Sequence, residues 1–295
     1  MIGEEKVRLV YENREGGAVA FVTLDREAKL NALDSDLMEQ FALIIEQLSR
    51  DESLRCVVVT GAGERAFAAG ADVEELASIV FPTEARSFIG RVHACCDAVR
   101  NLAVPVIARI NGHALGAGLE LAISCDLRVA SDNATFAMPE VRLGIPSVVE
   151  AALLPGLIGW GRAREMVLLG DSYDAETALK MGLVEAVVPA RELDAAVESR
   201  IASLMANGPQ AIRLQKALLR RWETLPLREA ILVGADIFAE AFQTSEPGIA
   251  MGSWSAVSAI KPRPPKPAEP PKAAKPARKP AAKRSVAKKP DAGRG

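Results

Sequence analysis

Apolar residues recur along this chain with two periods. Residues 7–11 and 19–24 are apolar, β-branched runs on either side of Glu15-Gly16-Gly17, the pattern of a hairpin. From 35 to 48 the period changes to that of a helix: Leu37, Phe41, Ile44, Ile45 and Leu48 fall on one face, and Asp34 or Ser35 can cap it. Residues 55–60 form a second buried-strand pattern, and 83–100 a helical one. A strand at 104–110 is broken by Asn111-Gly112, a helix follows Gly116-Ala117-Gly118 over 119–125, and 127–130 is again extended. The segment 138–146 carries too many breakers for a regular element. Beyond it the pattern is mostly helical (162–169, 175–181, 191–206, 209–221 and 227–242), with one strand at 184–188. Strand, loop and helix units of this length predict an α/β sheet with ligand loops at strand ends, followed by a helical C-terminal region.

The stretch 104–126 is the one around which the rest is arranged. It reads as a strand, a turn and a helix start, and a helix start presents backbone N–H groups and the positive end of the dipole to an anion. Glu120 stands on its first turn. Three glycines after the 55–60 strand invite a nucleotide-binding reading, but the spacing is not G-x-G-x-x-G and no P-loop Lys-Ser/Thr follows.

Composition adds an asymmetry. The chain of 295 residues has a formal charge of −2, yet residues 261–295 hold eight Lys and four Arg against Glu269 and Asp291, so a +10 tail follows a −12 body. That tail is Pro, Ala, Lys and Arg with little apolar content, which predicts disorder. The four cysteines, Cys56, Cys95, Cys96 and Cys125, lack paired metal spacing and read as buried small hydrophobes in a reducing compartment. No signal peptide or membrane-length apolar run is present, so the expectation is a cytoplasmic protein without a membrane span.

Three segments, in order and tens of residues apart, carry a family resemblance: Ala66-Phe67-Ala68-Ala69-Gly70-Ala71-Asp72, the run from Pro105 through Asn111-Gly112-His113-Ala114-Leu115-Gly116-Ala117-Gly118 to Asp126, and Met138-Pro139-Glu140. The sequence resembles the enoyl-CoA hydratase/isomerase (crotonase) family from about residue 7 to 262. The resemblance implies an α/β spiral of ββα repeats of the ClpP/crotonase kind. It divides the chain into an acyl-CoA-binding core (1–200), a helical oligomerisation region (201–260) and the tail (261–295). It implies homotrimers or dimers of trimers, and no metal or redox cofactor, coenzyme A being part of the substrate.

By position, the resemblance makes the backbone N–H groups of Ala71 and Ala117 the donors that polarise a thioester carbonyl and stabilise its enolate. Glu120 would hold and activate a water, and Glu140 would deliver a proton to Cα, giving syn addition to a trans-2-enoyl-CoA. Ala66, Ala68, Ala69, Gly70, Asp72 and Gly116 would border the substrate, with Arg26 and Lys29 as partners for CoA phosphates. The chain departs from the family at two places. Ala117 stands where glycine is frequent, and residues 145–152 lack the glycines of many hydratases and add Glu150.

Plainer roles compete for several residues. Asp72 suits a helix cap, His93 and His113 read as structural, and Glu150 is either a helix-start acid or a pocket residue. Arg109 has no role that the sequence supplies. Double-bond isomerisation and thioester hydrolysis use the same enolate and are the alternative reactions. A separate reading gives the basic tail a nucleic-acid or anionic-surface binding role.

Overall fold

The computed structural model describes residues 5–252; the expectations for the tail lie outside them. The hairpin forms from β1 (Val7–Arg14) and β2 (Gly17–Leu24), paired antiparallel with Arg14 opposite Gly17. Helix α1 (Ser35–Ser49) follows, capped by Asp34, whose carboxylate accepts the Leu37 N–H at 2.8 Å.

Next come β3 (Leu54–Gly61), β4 (Ala66–Ala68), α2 (Val73–Ser78) and α3 (Pro82–Asn101). The organising stretch forms β5 (Val106–Ile110), β6 (His113–Leu115) and α4 (Ala117–Ser124). After β7 (Leu127–Ser131) and β8 (Thr135–Ala137) come two short 3-10 turns, Glu140–Leu143 and Val149–Leu153, and then α5 (Leu154–Leu169). The chain continues with β9 (Ser172–Asp174), α6 (Ala175–Met181), β10 (Ala186–Val188) and α7 (Leu193–Met205). It ends, among the described residues, with α8 (Pro209–Trp222), α9 (Leu227–Ala241) and α10 (Glu246–Gly252).

The strands make two sheets, β1-β2-β3-β5-β7-β10 and β4-β6-β8-β9. From β3 to α5 the chain places one strand in the larger sheet, the next in the smaller, and then turns into helix or 3-10 structure. It does so three times, which is the expected ββα repeat. In the smaller sheet β4, β6 and β8 lie parallel and adjacent, so the loops leaving their C-terminal ends converge.

Alternation along the central strands sends side chains to two apolar layers. Val57 and Val59 of β3, with Val106, Ala108 and Ile110 of β5, join the main core with α1 and α3. Cys56, Val58 and Ile107 face the other way, against Leu193, Val197 and Ile201 of α7. Arg109 shares the α7 side with Ile107, and its guanidinium meets Asp194 at 2.7 Å and Thr60 at 3.3 Å. A charged residue in this strand is thus accounted for by a partner 85 positions away.

Helix α5 begins eight residues before the expected 162, because Pro155, Gly156, Gly159 and Gly161 dilute its apolar pattern; it bends at Gly159. The strands β6, β8 and β9 are three residues each, too short for periodicity to reveal. Residue 200, the expected end of the core, falls inside α7, and the described residues belong to one compact unit. No helix among them is long and apolar enough to cross a membrane.

Candidate active site

The loops leaving β4, β6 and β8 bring the three sequence segments together. After β4 the chain pairs with the loop before α1. The Leu33 N–H donates to the Gly70 carbonyl at 2.8 Å and the Asp72 N–H to the Leu33 carbonyl at 2.9 Å. Those bonds leave the Ala71 N–H between them without an acceptor among the described residues. After β6, Gly116 turns the chain with φ +49° and ψ −125°, and Ala117 opens α4. As the first helical residue, Ala117 has no intrahelical acceptor for its N–H. The two loops touch: a Cβ placed on Gly70 would lie 3.0 Å from the Leu115 carbonyl oxygen and 3.8 Å from the Ala117 nitrogen.

Beneath them, two buried asparagines fix the loops. Asn111 Nδ2 donates to the carbonyls of Gly61, Gly63 and Ala66, and Asn31 Nδ2 to those of Ala62 and Ala66. A buried side chain that satisfies several loop carbonyls at once holds them in one geometry.

The third loop, after β8, carries Glu140. Its Oε1 occupies the space that a side chain at Gly116 would need, closer than 3.0 Å to where a Cβ would stand. Its Oε2 accepts a hydrogen bond from Ser147 Oγ at 2.7 Å. Glu120, one turn into α4, is buried, and its Oε1 accepts the Ala151 N–H at 3.1 Å. Burial first, then the charges of Glu140 and Glu150, push its pKa up to about 8 against the lowering effect of the Ala151 bond. Two carboxyl groups therefore flank a pair of unengaged N–H donors.

Other expected residues lie elsewhere in the same region. Ala66 and Ala68 are buried in β4, and Ala69 donates its N–H to Leu30 O at 3.0 Å. Asp72 caps α2 by accepting the Glu74 and Glu75 N–H groups, the role expected of it, and also pairs with Arg26 at 2.9 Å. Arg26 also reaches back to the Ala32 carbonyl at 2.6 Å. Lys29 lies at the surface against Glu74. His113 Nδ1 meets Thr135 Oγ1 at 2.6 Å, between strands. The four cysteines are buried, and burial pushes Cys56, Cys95 and Cys125 up to about 12.

Sequence reasoning missed Ser147, the Ala151 N–H and the pairing of His93 with Glu150. None of these has a local signal, since the partners lie 7, 31 and 57 residues apart. It also missed Lys216 of α8, whose buried ammonium pairs with Asp126 at 2.7 Å and donates to the Val104 carbonyl. That ion pair ties the C-terminal helices to the end of α4. It lines a cleft of about 560 Å³ that does not include Glu120 or Glu140.

Comparison with known proteins identifies the family. The family model described as enoyl-CoA hydratase/isomerase matches residues 14–254. The short-chain-enoyl-CoA hydratase of Clostridium acetobutylicum is 36% identical over 236 residues, 80% of this chain and 90% of that protein. The crotonyl-CoA hydratase of Syntrophomonas wolfei is 33% identical over 239 residues, 81% of this chain and 91% of that one. A crystal structure of enoyl-CoA hydratase from Bacillus anthracis superposes with a TM-score of 0.79 at 32% identity, covering 84% of this chain and 96% of its own. The chain belongs to the enoyl-CoA hydratase/isomerase family and has its crotonase fold.

Proposed function

We propose that this protein hydrates a trans-2-enoyl-CoA. The observation that carries the reading is the convergence of two unengaged backbone N–H groups, Ala71 and Ala117, with two glutamates, Glu120 and Glu140. The donors receive the thioester oxygen. They are aimed in advance at charge that develops only as the enolate forms, and removing one such donor from well-studied sites costs about 3 to 4 kcal/mol.

The positions of the acids divide their work. Glu140 lies over Gly116, next to the donor that holds the carbonyl, and so stands beside Cα. Glu120 is a turn further along α4 and faces Cβ, its carboxylate oriented by Ala151. Water loses a proton to Glu120 as its oxygen bonds to Cβ. The π electrons move into the thioester enolate, which takes a proton at Cα from Glu140; Glu140 enters the step carrying that proton, Glu120 leaves it carrying the water's, and exchange with solvent restores both. Both acids act from one side, which gives syn addition. The residues present require no metal or redox group for these steps.

The relatives named as hydratases support this reading over isomerisation or thioester hydrolysis on the same enolate. Incubation with crotonyl-CoA in deuterated water tests it: enoyl absorbance should fall, a 3-hydroxyacyl-CoA should form with deuterium at Cα, and no free thiol should appear. Release of CoA thiol without the hydroxyacyl product would overturn it. The exposed apolar residues of α9, including Leu227, Ile231 and Phe238, support self-association as a homotrimer or dimer of trimers.

A further inference from the structure

Glu150 is a buried carboxylate that the proposed reaction leaves unused. It lies in the 3-10 turn Val149–Leu153, with a side chain only 8% exposed. Its Oε1 meets His93 Nδ1 of α3 at 2.7 Å, whereas Oε2 is buried with no hydrogen-bond partner among the described residues. Keeping an unsatisfied carboxylate oxygen out of water is costly.

Its neighbours give the cost a purpose. Ala151, the next residue, supplies the N–H that orients Glu120. Val149, the preceding residue, has φ +39°, a left-handed conformation that a β-branched residue does not choose for itself. The turn is therefore held by its surroundings, and the link from Glu150 to His93 is the side-chain tie that fastens it to α3. Glu150 is also one of the two charges that act on Glu120.

We propose that Glu150 is a positioning residue for Glu120: tied to His93, it fixes the turn that presents the Ala151 N–H to the Glu120 carboxylate. The inference rests on the hydratase reading above. The titratable groups around Glu150 are few. From α3 come His93 and Cys96; from α4 comes Glu120, itself facing Glu140. The first turn of α5, Leu154 to Ile158, carries none.

The experiment titrates Glu120 directly. The infrared carboxyl band lost in Glu120→Gln identifies it, and the band is followed with pH in the wild type, Glu150→Gln, Glu150→Asp and His93→Phe. Crotonyl-CoA kinetics and thermal melts accompany each variant. Glu150→Gln should move the Glu120 midpoint to lower pH and reduce kcat about 10- to 100-fold with little change in KM. His93→Phe cuts the tie and leaves Glu150 in place, so it should loosen the Ala151 N–H that lowers the Glu120 pKa and move the midpoint the opposite way. Glu150→Asp, which keeps the charge, should return the midpoint toward the wild-type value. A folded Glu150→Gln with an unchanged midpoint and kcat would overturn the proposal, as would shifts in the same direction in both variants. Failure of the hydratase reading is seen separately, as a wild type that does not hydrate crotonyl-CoA, while the infrared titration still decides what Glu150 does to Glu120.

Discussion

Glu140 fills the space that a side chain at Gly116 would take. A methyl there would come closer than 3.0 Å to Glu140 Oε1, and φ +49° at Gly116 disfavours any other residue as well. Gly116→Ala should therefore displace the carboxylate beside Cα rather than weaken CoA binding. The expected result is a fall in kcat of about 100-fold with KM nearly unchanged, read from crotonyl-CoA kinetics.

The division of labour between the acids predicts that both are needed. Glu120→Gln and Glu140→Gln should each lower kcat by about 10²- to 10⁴-fold. The double variant should be little worse than the poorer single one, because groups that act as a unit do not contribute additively. Full activity in Glu120→Gln would instead point to isomerisation.

The raised pKa of Glu120 has consequences for both activity and stability. As the base, Glu120 must be ionised, so kcat/KM should climb as pH rises through about 8. Stability should move the other way. The folded protein holds this proton more tightly than the unfolded chain, whose Glu120 titrates near the ordinary glutamate value of 4.5. The stabilisation is present below that value and is lost as pH rises through about 8. Glu120→Gln should flatten this slope, so Tm measured against pH would separate the variants most above pH 8.

Lys216 and Asp126 form the anchor between α8 and the end of α4. Burial lowers the lysine pKa and the nearby carboxylate opposes that shift. Lys216→Ala strands the Asp126 charge and the Val99 and Val104 carbonyls that the ammonium now serves. Asp126 keeps some access to water, so the cost belongs at the lower end of the range for broken buried pairs, about 3 kcal/mol by denaturant unfolding.

The exposed row on α9 predicts a particle of several chains. Sedimentation should give a mass of three or six chains, and Ile231→Glu combined with Phe238→Glu should shift it toward the single chain. A wild type that sediments as one chain would remove this expectation.

Much of the architecture was legible because it is local. The hairpin at Gly16-Gly17, the α1 stripe with its Asp34 cap, the buried β3 run and the strand, turn and helix of β5 and α4 depend on neighbours a few residues apart. The candidate site was legible only through three short motifs in order. The signal lay in the Gly116 turn and in Glu140 after Pro139, which backbone geometry restricts. The short strands β6 and β8 gave no period of their own, and their place was set by pairing, β6 with β4 and β8 with β6.

What the sequence determined by itself was therefore the set of elements, the glycine turns and the list of chemically useful residues. Only the tertiary structure decided which of these meet. It placed the Gly70 loop against Leu115 and Ala117, and it paired Arg26 with Asp72. It also set Arg109 against Asp194 and put His93, Glu150 and Glu120 in one electrostatic group. The physical reason is that periodicity and turn preference act over a few residues of chain. Contact, burial and charge coupling act through space, between segments that the two sheets bring together from tens of residues apart.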